Sequence, residues 1–426
     1  MGGDLSAAAA LHARGLRGWR IFMKTKPLLF WIGDAVACTG FARVTHNVLR
    51  YLSESFDIIV LGLNYLGDPH SYSYPIYPAH LGGSPYGVAR YRDLVMRFQP
   101  DVVCVMHNAW VVAEFVAEHE QLPAWPAMER PPLIAYVPVD GYHIAAAAAL
   151  NGLAALIAYT RFGAQQLLEG GYHGPMTIIP HGVDLDVYTP RDKAEARRHL
   201  GVPELNDPKY LIVGNLNRNQ TRKRLDLTLR GFQRWIQIEQ IEDRAFLWLH
   251  CADEDIGGSL RPLAQYLGIE ANVLWPPDML TTFHGADESE LSWLYSAWDL
   301  QVSTTLGEGW GLSTMEAMAC GIPNLVPYWS SLGEWPDGAV GYMVCTDQAP
   351  ISSRYELGGL VTSATVAQEL QWWMGNRTAR EALIAAGLAL VQQPKFRWTA
   401  IAARFAEVFR LAMAGWAYEI VPEVSV

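Results

Sequence analysis

Two carboxylates, Glu308 and Glu316, stand eight positions apart in the stretch Thr305-Leu-Gly-Glu-Gly-Trp-Gly-Leu-Ser-Thr-Met-Glu-Ala-Met-Ala-Cys-Gly-Ile-Pro323. Glu308 is a charge set among glycines, where a plain turn more often carries Asn or Asp, and this points to a ligand. Ser313 and Glu316 spell the S-x-x-E capping box that opens a helix, and Gly321 and Pro323 mark its end. The apolar run Leu300 to Thr304 in front of them predicts a strand. Strand, glycine-rich turn and helix together present free backbone N–H groups and the positive end of a helix dipole, which suits a phosphate. Gly309, Gly311, Leu312 and Ser313 would line that site, with Glu308 at its mouth. Glu316 would lie one turn in, as a capping partner, a ligand-binding acid, or both.

A second charged stretch points to the same chemistry. The loop Asn215 to Arg224 carries Arg218, Arg222, Lys223 and Arg224, four cations in seven residues, directly before a helix with Leu225, Leu229, Phe232 and Ile236 on one face. A helix start disfavours cations by a few tenths of a kcal/mol, roughly, so an anionic ligand is expected there. Each charge-assisted bond to such a ligand contributes about 1.5–3 kcal/mol.

The elements that must position these groups alternate regularly. Leu28 to Ile32, Asp57 to Leu63, Asp101 to Met106, Leu133 to Val137, Ala155 to Ala158, Tyr210 to Gly214, Phe246 to His250 and Asn272 to Trp275 are apolar runs of the kind buried in parallel sheets. Helical patterns separate them: one starts near Arg43 with Val44, Val48, Leu49 and Leu52 on one face, and the last runs from Phe396 to Met413. This order predicts two doubly wound α/β units. Ligands of such sheets sit at the carboxyl ends of the strands. His107 after the third strand and Asp140 after the fourth are therefore candidate site residues, and the first strand leads into a glycine-bearing loop of the nucleotide-facing kind, from Gly33 to Gly40. The Tyr-rich loop from Ser71 to Tyr91 has no clean period.

The Glu308-to-Pro323 stretch resembles the E-x7-E signature of retaining glycosyltransferases of the GT-B fold, family four (the group 1 glycosyl transferases). The match includes the Glu-Gly-Trp-Gly-Leu opening and the Glu-Ala-Met-Ala-Cys-Gly-Ile-Pro close. Ile178-Ile-Pro-His-Gly-Val-Asp184 is similar to the segment where the first domain of that family hands over to the second, with His181 in place of the usual Asn. The resemblance implies a GT-B architecture: two Rossmann-like doubly wound domains facing each other across a cleft. It implies that Glu308 contacts the sugar of a nucleotide diphosphate sugar and Glu316 the ribose hydroxyls. Arg218 and Lys223, five apart, would grip the diphosphate together with the Gly40 backbone, and Pro276 to Leu280 would lie near the base. The leaving phosphate itself would help deprotonate the acceptor, without a metal ion. Asp140 stands where many members carry His or Thr, which bears on the acceptor side.

The boundaries implied are a tail over 1–26, an acceptor-side domain from 27–190 and 400–426, and a donor-side domain over 191–399, with a linker at about 186–205. Composition sets the outer limits. The chain has 426 residues, half of them apolar, and a net charge of −11. That net charge argues against nucleic acid as the main partner. No apolar run reaches the roughly 18 residues of a membrane span; the Ala- and Arg-rich start leaves peripheral membrane contact open. Five scattered cysteines form neither a disulfide framework nor a zinc site, and a cytoplasmic location is expected. Cys38, Cys104 and Cys320 are expected to be buried. Asp184-Leu-Asp186 and Asp253-Glu-Asp255 read as solvated turns. The expected activity is transfer of a hexose from a UDP- or GDP-sugar to an unknown glycan, lipid or small-molecule acceptor, with no cofactor. An epimerase or hydrolase of nucleotide sugars, or a non-catalytic binding protein on the same scaffold, are the alternatives.

Overall fold

The computed structural model describes residues 26–123, 130–276, 280–281 and 285–415. The proposed tail, apart from Lys26, and most of the Pro276–Leu280 turn lie outside them. The first domain holds β1 (Leu28–Asp34), β2 (Asp57–Leu63), β3 (Ile76–Pro78), β4 (Val102–Met106), β5 (Leu133–Val137), β6 (Ala155–Ala158) and β7 (Met176–Ile178). They form one parallel sheet in the order β3-β2-β1-β4-β5-β6-β7. Helices α1 (Gly40–Leu52), α2 (Val88–Phe98), α3 (Ala109–Glu120) and α4 (Arg161–Glu169) cover it. Every residue of β4, β5 and β6 is buried, which is why their ends were legible as unbroken apolar runs.

The second domain repeats the plan. Its parallel sheet contains β8 (Leu211–Leu216), β9 (Ala245–His250), β12 (Val273–Leu274), β13 (Leu300–Val302), β14 (Asn324–Pro327) and β15 (Gly341–Met343), in the order β12-β9-β8-β13-β14-β15. Two small hairpins project from it: β10 (Glu254–Asp255) with β11 (Gly258–Ser259), and β16 (Asp347–Pro350) with β17 (Leu357–Leu360). Helices α5 (Lys193–His199), α6 (Leu225–Glu239), α7 (Leu260–Tyr266), α8 (Glu288–Ser296), α9 (Leu312–Ala319), α10 (Ser363–Gly375) and α11 (Arg377–Val391) pack around it. The final helix, α12 (Trp398–Met413), returns to the first domain. There Phe405 meets Trp31 and Phe409 meets Phe56 edge-on at 5.9 and 5.8 Å.

Three local readings are corrected. The stretch taken as a linker contains α5, capped by Asp192 and tied to the second domain through Lys193 and Arg197, both paired with Asp299. Helix α1 begins at Gly40 rather than near Arg43, because the Thr39 hydroxyl accepts from the Ala42 N–H at 3.1 Å. Cys104 and Cys320 are buried as expected, but Cys38 is exposed.

The two sheets reverse direction between β1 and β4 and between β8 and β13. At such switch points the loops at the strand ends diverge to opposite sides and leave a crevice. The loop after β1 leads to Gly40 at the start of α1, and the loop after β4 carries His107. Those after β8 and β13 carry the cationic stretch and Glu308. The two switch points face each other. The segments joining the domains are bonded to one another, Val183 N–H donating to the Phe396 carbonyl at 3.1 Å. Together they enclose His181, Trp310 and Trp398 in one apolar cluster.

Candidate active site

Glu308 sits at the end of the β13 loop and is fixed from several sides. Its N–H donates to the Ser330 hydroxyl at 3.1 Å, and the Ser331 hydroxyl donates to its carbonyl at 2.6 Å. Trp310, two residues on, is buried against Trp335, Phe396 and His181, so the aromatic of the motif anchors the loop. Trp310 therefore serves as packing, and its ring is not offered to a ligand.

The Glu308 carboxylate is ion-paired with Lys223 and, at 3.3 Å, with Arg222 Nη1. Burial would raise its pKa, but the Lys223 and Arg222 charges outweigh burial and hold it below the usual carboxylate range. Arg222 also faces Asp140 across the domain boundary at 3.6 Å and donates to the Gly307 carbonyl at 2.7 Å. Burial pushes the Asp140 carboxyl up, against the pull of Arg222. The loops touch closely: a Cβ on Gly309 would lie 2.7 Å from Pro138 Cβ, and one on Gly307 would overlap the Asp140 carbonyl.

The cationic loop divides its charges. A one-turn 3-10 segment, Thr221–Lys223, followed by Arg224 at a left-handed φ of 49°, aims Arg222 and Lys223 together at Glu308. Arg218 turns instead to Asp255 on β10, with Nε 2.8 Å from the carboxylate, and stays 47% exposed. The five-residue spacing thus does not bring Arg218 and Lys223 to one point; Arg222 takes the place beside Lys223. Arg224 pairs with Asp226. Asp253 and Asp255 carry Arg261 and Arg218 as partners, and Asp184 Oδ1 accepts from the Asp186 N–H.

Helix α9 starts at Leu312 behind Gly311, which takes φ 97° and ψ 57° and offers no side-chain cap. The capping-box reading is therefore overturned. Glycine supplies the left-handed turn itself, so Ser313 falls inside the helix and Glu316 is released from capping. Glu316 is 3% exposed, with one oxygen on Arg43 Nη1 and the other accepting from Tyr295 Oη at 2.8 Å. Gly40 lies against Leu312: a Cβ there would be 3.2 Å from Leu312 Cδ1. The N-termini of α1 and α9 therefore meet at the cleft. His107 has an aromatic setting. It packs edge-on against Phe41, Tyr86 and Trp110, and burial lowers its pKa to about 4, so it is neutral.

Arg43 and Tyr295 were not singled out in the sequence. Arg43 did carry a signal: it is a cation in the first turn of a helix, against the dipole, the same anomaly that marked the loop before α6.

Residues 207–352 match the family model for glycosyl transferases group 1. That match lies within the second domain. The chain is 31% identical over 267 residues to a D-inositol 3-phosphate glycosyltransferase of Streptosporangium roseum, covering 61% of this chain and 55% of that protein. A protein of the same name from Thermobispora bispora is 32% identical over 268 residues, covering 61% and 56%. The chain thus spans little more than half the length of these relatives. The whole fold superposes on HepE of Anabaena, solved with UDP and glucose, at a TM-score of 0.66 and 15% identity, covering 90% of this chain and 99% of that one. It also superposes on sucrose-phosphate synthase from Thermosynechococcus elongatus, at 0.69 and 16%, covering 92% and 100%. The architecture is GT-B, and its second domain contributes Glu308, Glu316, Arg222 and Lys223 to the cleft. No described helix is long and apolar enough to cross a membrane.

Proposed function

We propose that the chain transfers a hexosyl group from a nucleotide diphosphate sugar to a hydroxyl acceptor, with retention of configuration and without a metal ion. The observation that carries this reading is the Glu308–Lys223–Arg222 group at the N-terminal side of α9, with Glu316 one helical turn away. A departing nucleoside diphosphate gathers negative charge. Two cations and a helix N-terminus preorganised around it would stabilise that charge, the kind of term that dominates many enzymatic accelerations. In the free protein Lys223 and Arg222 are balanced by Glu308 and Asp140. A bound diphosphate would take over part of that role and free Glu308 to accept from sugar hydroxyls. Asp140, from the other domain, borders the same group and belongs to the acceptor side.

The printed names of relatives guide the screen. HepE was solved with UDP, and the curated relatives are named for inositol 3-phosphate, so UDP-sugars and a phosphorylated polyol are the first donor and acceptor to try. The deciding experiment is thermal stabilisation by UDP, GDP, ADP and dTDP, with Glu316→Ala alongside. A nucleotide at about 100 times its dissociation constant stabilises by about 2.7 kcal/mol. The expected outcome is a shift with one base that the variant loses. No shift with any nucleotide sinks the donor-site reading. Metal independence has its own check: activity abolished by a chelator and restored by Mg²⁺ overturns it.

A further inference from the structure

The two oxygens of Glu316 are held by different domains. Oε1 pairs with Arg43 Nη1 from α1, and Oε2 accepts from Tyr295 Oη on α8. The guanidinium is itself held from the second domain, with Nε 3.5 Å from Glu288 Oε1 at the start of α8. Glu316 and Tyr295 are buried, and Arg43 is 21% exposed. An ionised carboxylate has about four lone-pair sites. With one taken on each oxygen, one remains on each, a pair of adjacent acceptors matched in spacing to two vicinal hydroxyls. Arg43 also separates two carboxylates, Glu316 and Glu288, that would otherwise repel each other.

We propose that Arg43 is a positioning residue for the donor ribose: reaching across the cleft, it fixes the Glu316 carboxylate so that both oxygens can accept from a vicinal diol. The inference rests on the donor-site reading above and deepens it, because it makes diol recognition depend on the first domain being in place. With the cleft open, Arg43 leaves with α1 and Glu316 turns on its last torsion toward Tyr295 alone. The α9 end of the site therefore recognises ribose fully only when the α1 end is closed over it.

The test compares the affinity of UDP with that of 2′,3′-dideoxy-UDP in the full chain, by calorimetry. In the unaltered protein the two hydroxyls are expected to contribute about 100-fold. In Arg43→Ala that ratio falls below about 10-fold, while the dideoxy compound binds within about threefold of its original affinity. Arg43→Lys restores part of the ratio, since a single ammonium still pairs with one oxygen. Tyr295→Phe, which leaves every charge in place, lowers the same ratio. In a Glu316→Gln background the Arg43→Ala change adds nothing. If Arg43→Ala weakens both compounds equally, the arginine acts on the diphosphate or on folding, and the inference is overturned while the donor site stands. An unchanged ratio in Arg43→Ala also overturns it. If the unaltered protein binds neither UDP nor its dideoxy analogue, the donor-site reading for this nucleotide fails first, and the inference falls with it.

Discussion

Lys223 and Glu308 show how a buried charge pair can cost stability when only one of its partners is removed. Both are largely buried, and each is the nearest counter-charge of the other. Truncating one partner of a buried pair typically costs about 3–5 kcal/mol, because the remaining charge is left without compensation. Arg222 remains beside Glu308, so Lys223→Ala is expected at the low end, about 3 kcal/mol. Lys223→Ala with Glu308→Gln should recover part of that loss, as measured by chemical denaturation. Affinity for the diphosphate should not recover with it. Arg222→Ala and Lys223→Ala are each expected to weaken nucleoside diphosphate binding by about 10- to 100-fold, the worth of one charge-assisted bond. Arg218→Ala should cost less, since its first partner is Asp255. Equal losses for Arg218 and Lys223 by calorimetry would mean that Arg218 swings into the site when the ligand arrives.

At the scale of elements, two helix starts govern the cleft. Helix α9 is aimed by Gly311, whose φ of 97° strains any residue with a side chain. An added Cβ would also sit 2.7 Å from Leu332 Cδ2. Gly311→Ala should therefore cost at least about 1–2 kcal/mol and tilt the N-terminus away from a bound phosphate. Nucleotide affinity should fall with stability, and a variant with normal melting and normal affinity would show that the turn is not needed. Helix α4, in the first domain, is capped from outside. The Glu334 carboxylate of the second domain accepts from the Phe162 and Arg161 N–H groups, beside the Thr160 cap. A carboxylate there typically contributes about 0.3–1 kcal/mol through the helix dipole. The nearby hairpin adds a backbone link: the Tyr142 N–H donates to Leu357 O at 2.9 Å and the Leu357 N–H to Tyr142 O at 3.0 Å. Glu334→Ala should loosen the contact between domains with little loss inside either one. An increase in radius of gyration in solution scattering, reversed by nucleotide, is the expected outcome.

For the whole molecule, burial of histidines sets the response to acid. Burial lowers the pKa of His46 and His181 to about 3, and that of His107, His119 and His250 to about 4. A histidine with a depressed folded pKa favours folding above its unfolded value near 6.5. That contribution shrinks as pH falls toward the folded value, because the unfolded chain takes up protons that the native state refuses. Each such proton is worth about 1.4 kcal/mol per pH unit. Stability should therefore fall steeply below pH 6.5. The raised carboxyls of Asp140, Glu334 and Glu356 act with the opposite sign and soften the slope once they begin to protonate. Proton uptake on unfolding at pH 6, read by calorimetry in two buffers, should drop by up to one proton in His181→Asn. No drop would mean that His181 titrates normally.

The sequence by itself determined most of the long buried strands and the two-domain plan, and it marked the charged groups of the second domain that break local rules. Buried parallel strands need unbroken apolar runs, so β2, β5 and β6 could be read to the residue. The Glu308–Glu316 spacing and the cations before α6 break local rules of turn and dipole, and a broken local rule is visible in one dimension. Short edge strands such as β3 and β7 bury too little to leave a pattern. What only the tertiary structure decided is which charges meet. Arg43 and Glu316 are 273 positions apart, and Asp140 and Arg222 belong to different domains. The exchange of Arg218 for Arg222 beside Lys223 follows from a single 3-10 turn. The release of Glu316 from capping follows from one glycine's left-handed φ. Partner choice depends on backbone direction at loop tips and on how closely two domains approach. Glycines 307 and 309 permit that approach, but their meaning appears only once Asp140 and Pro138 stand opposite them.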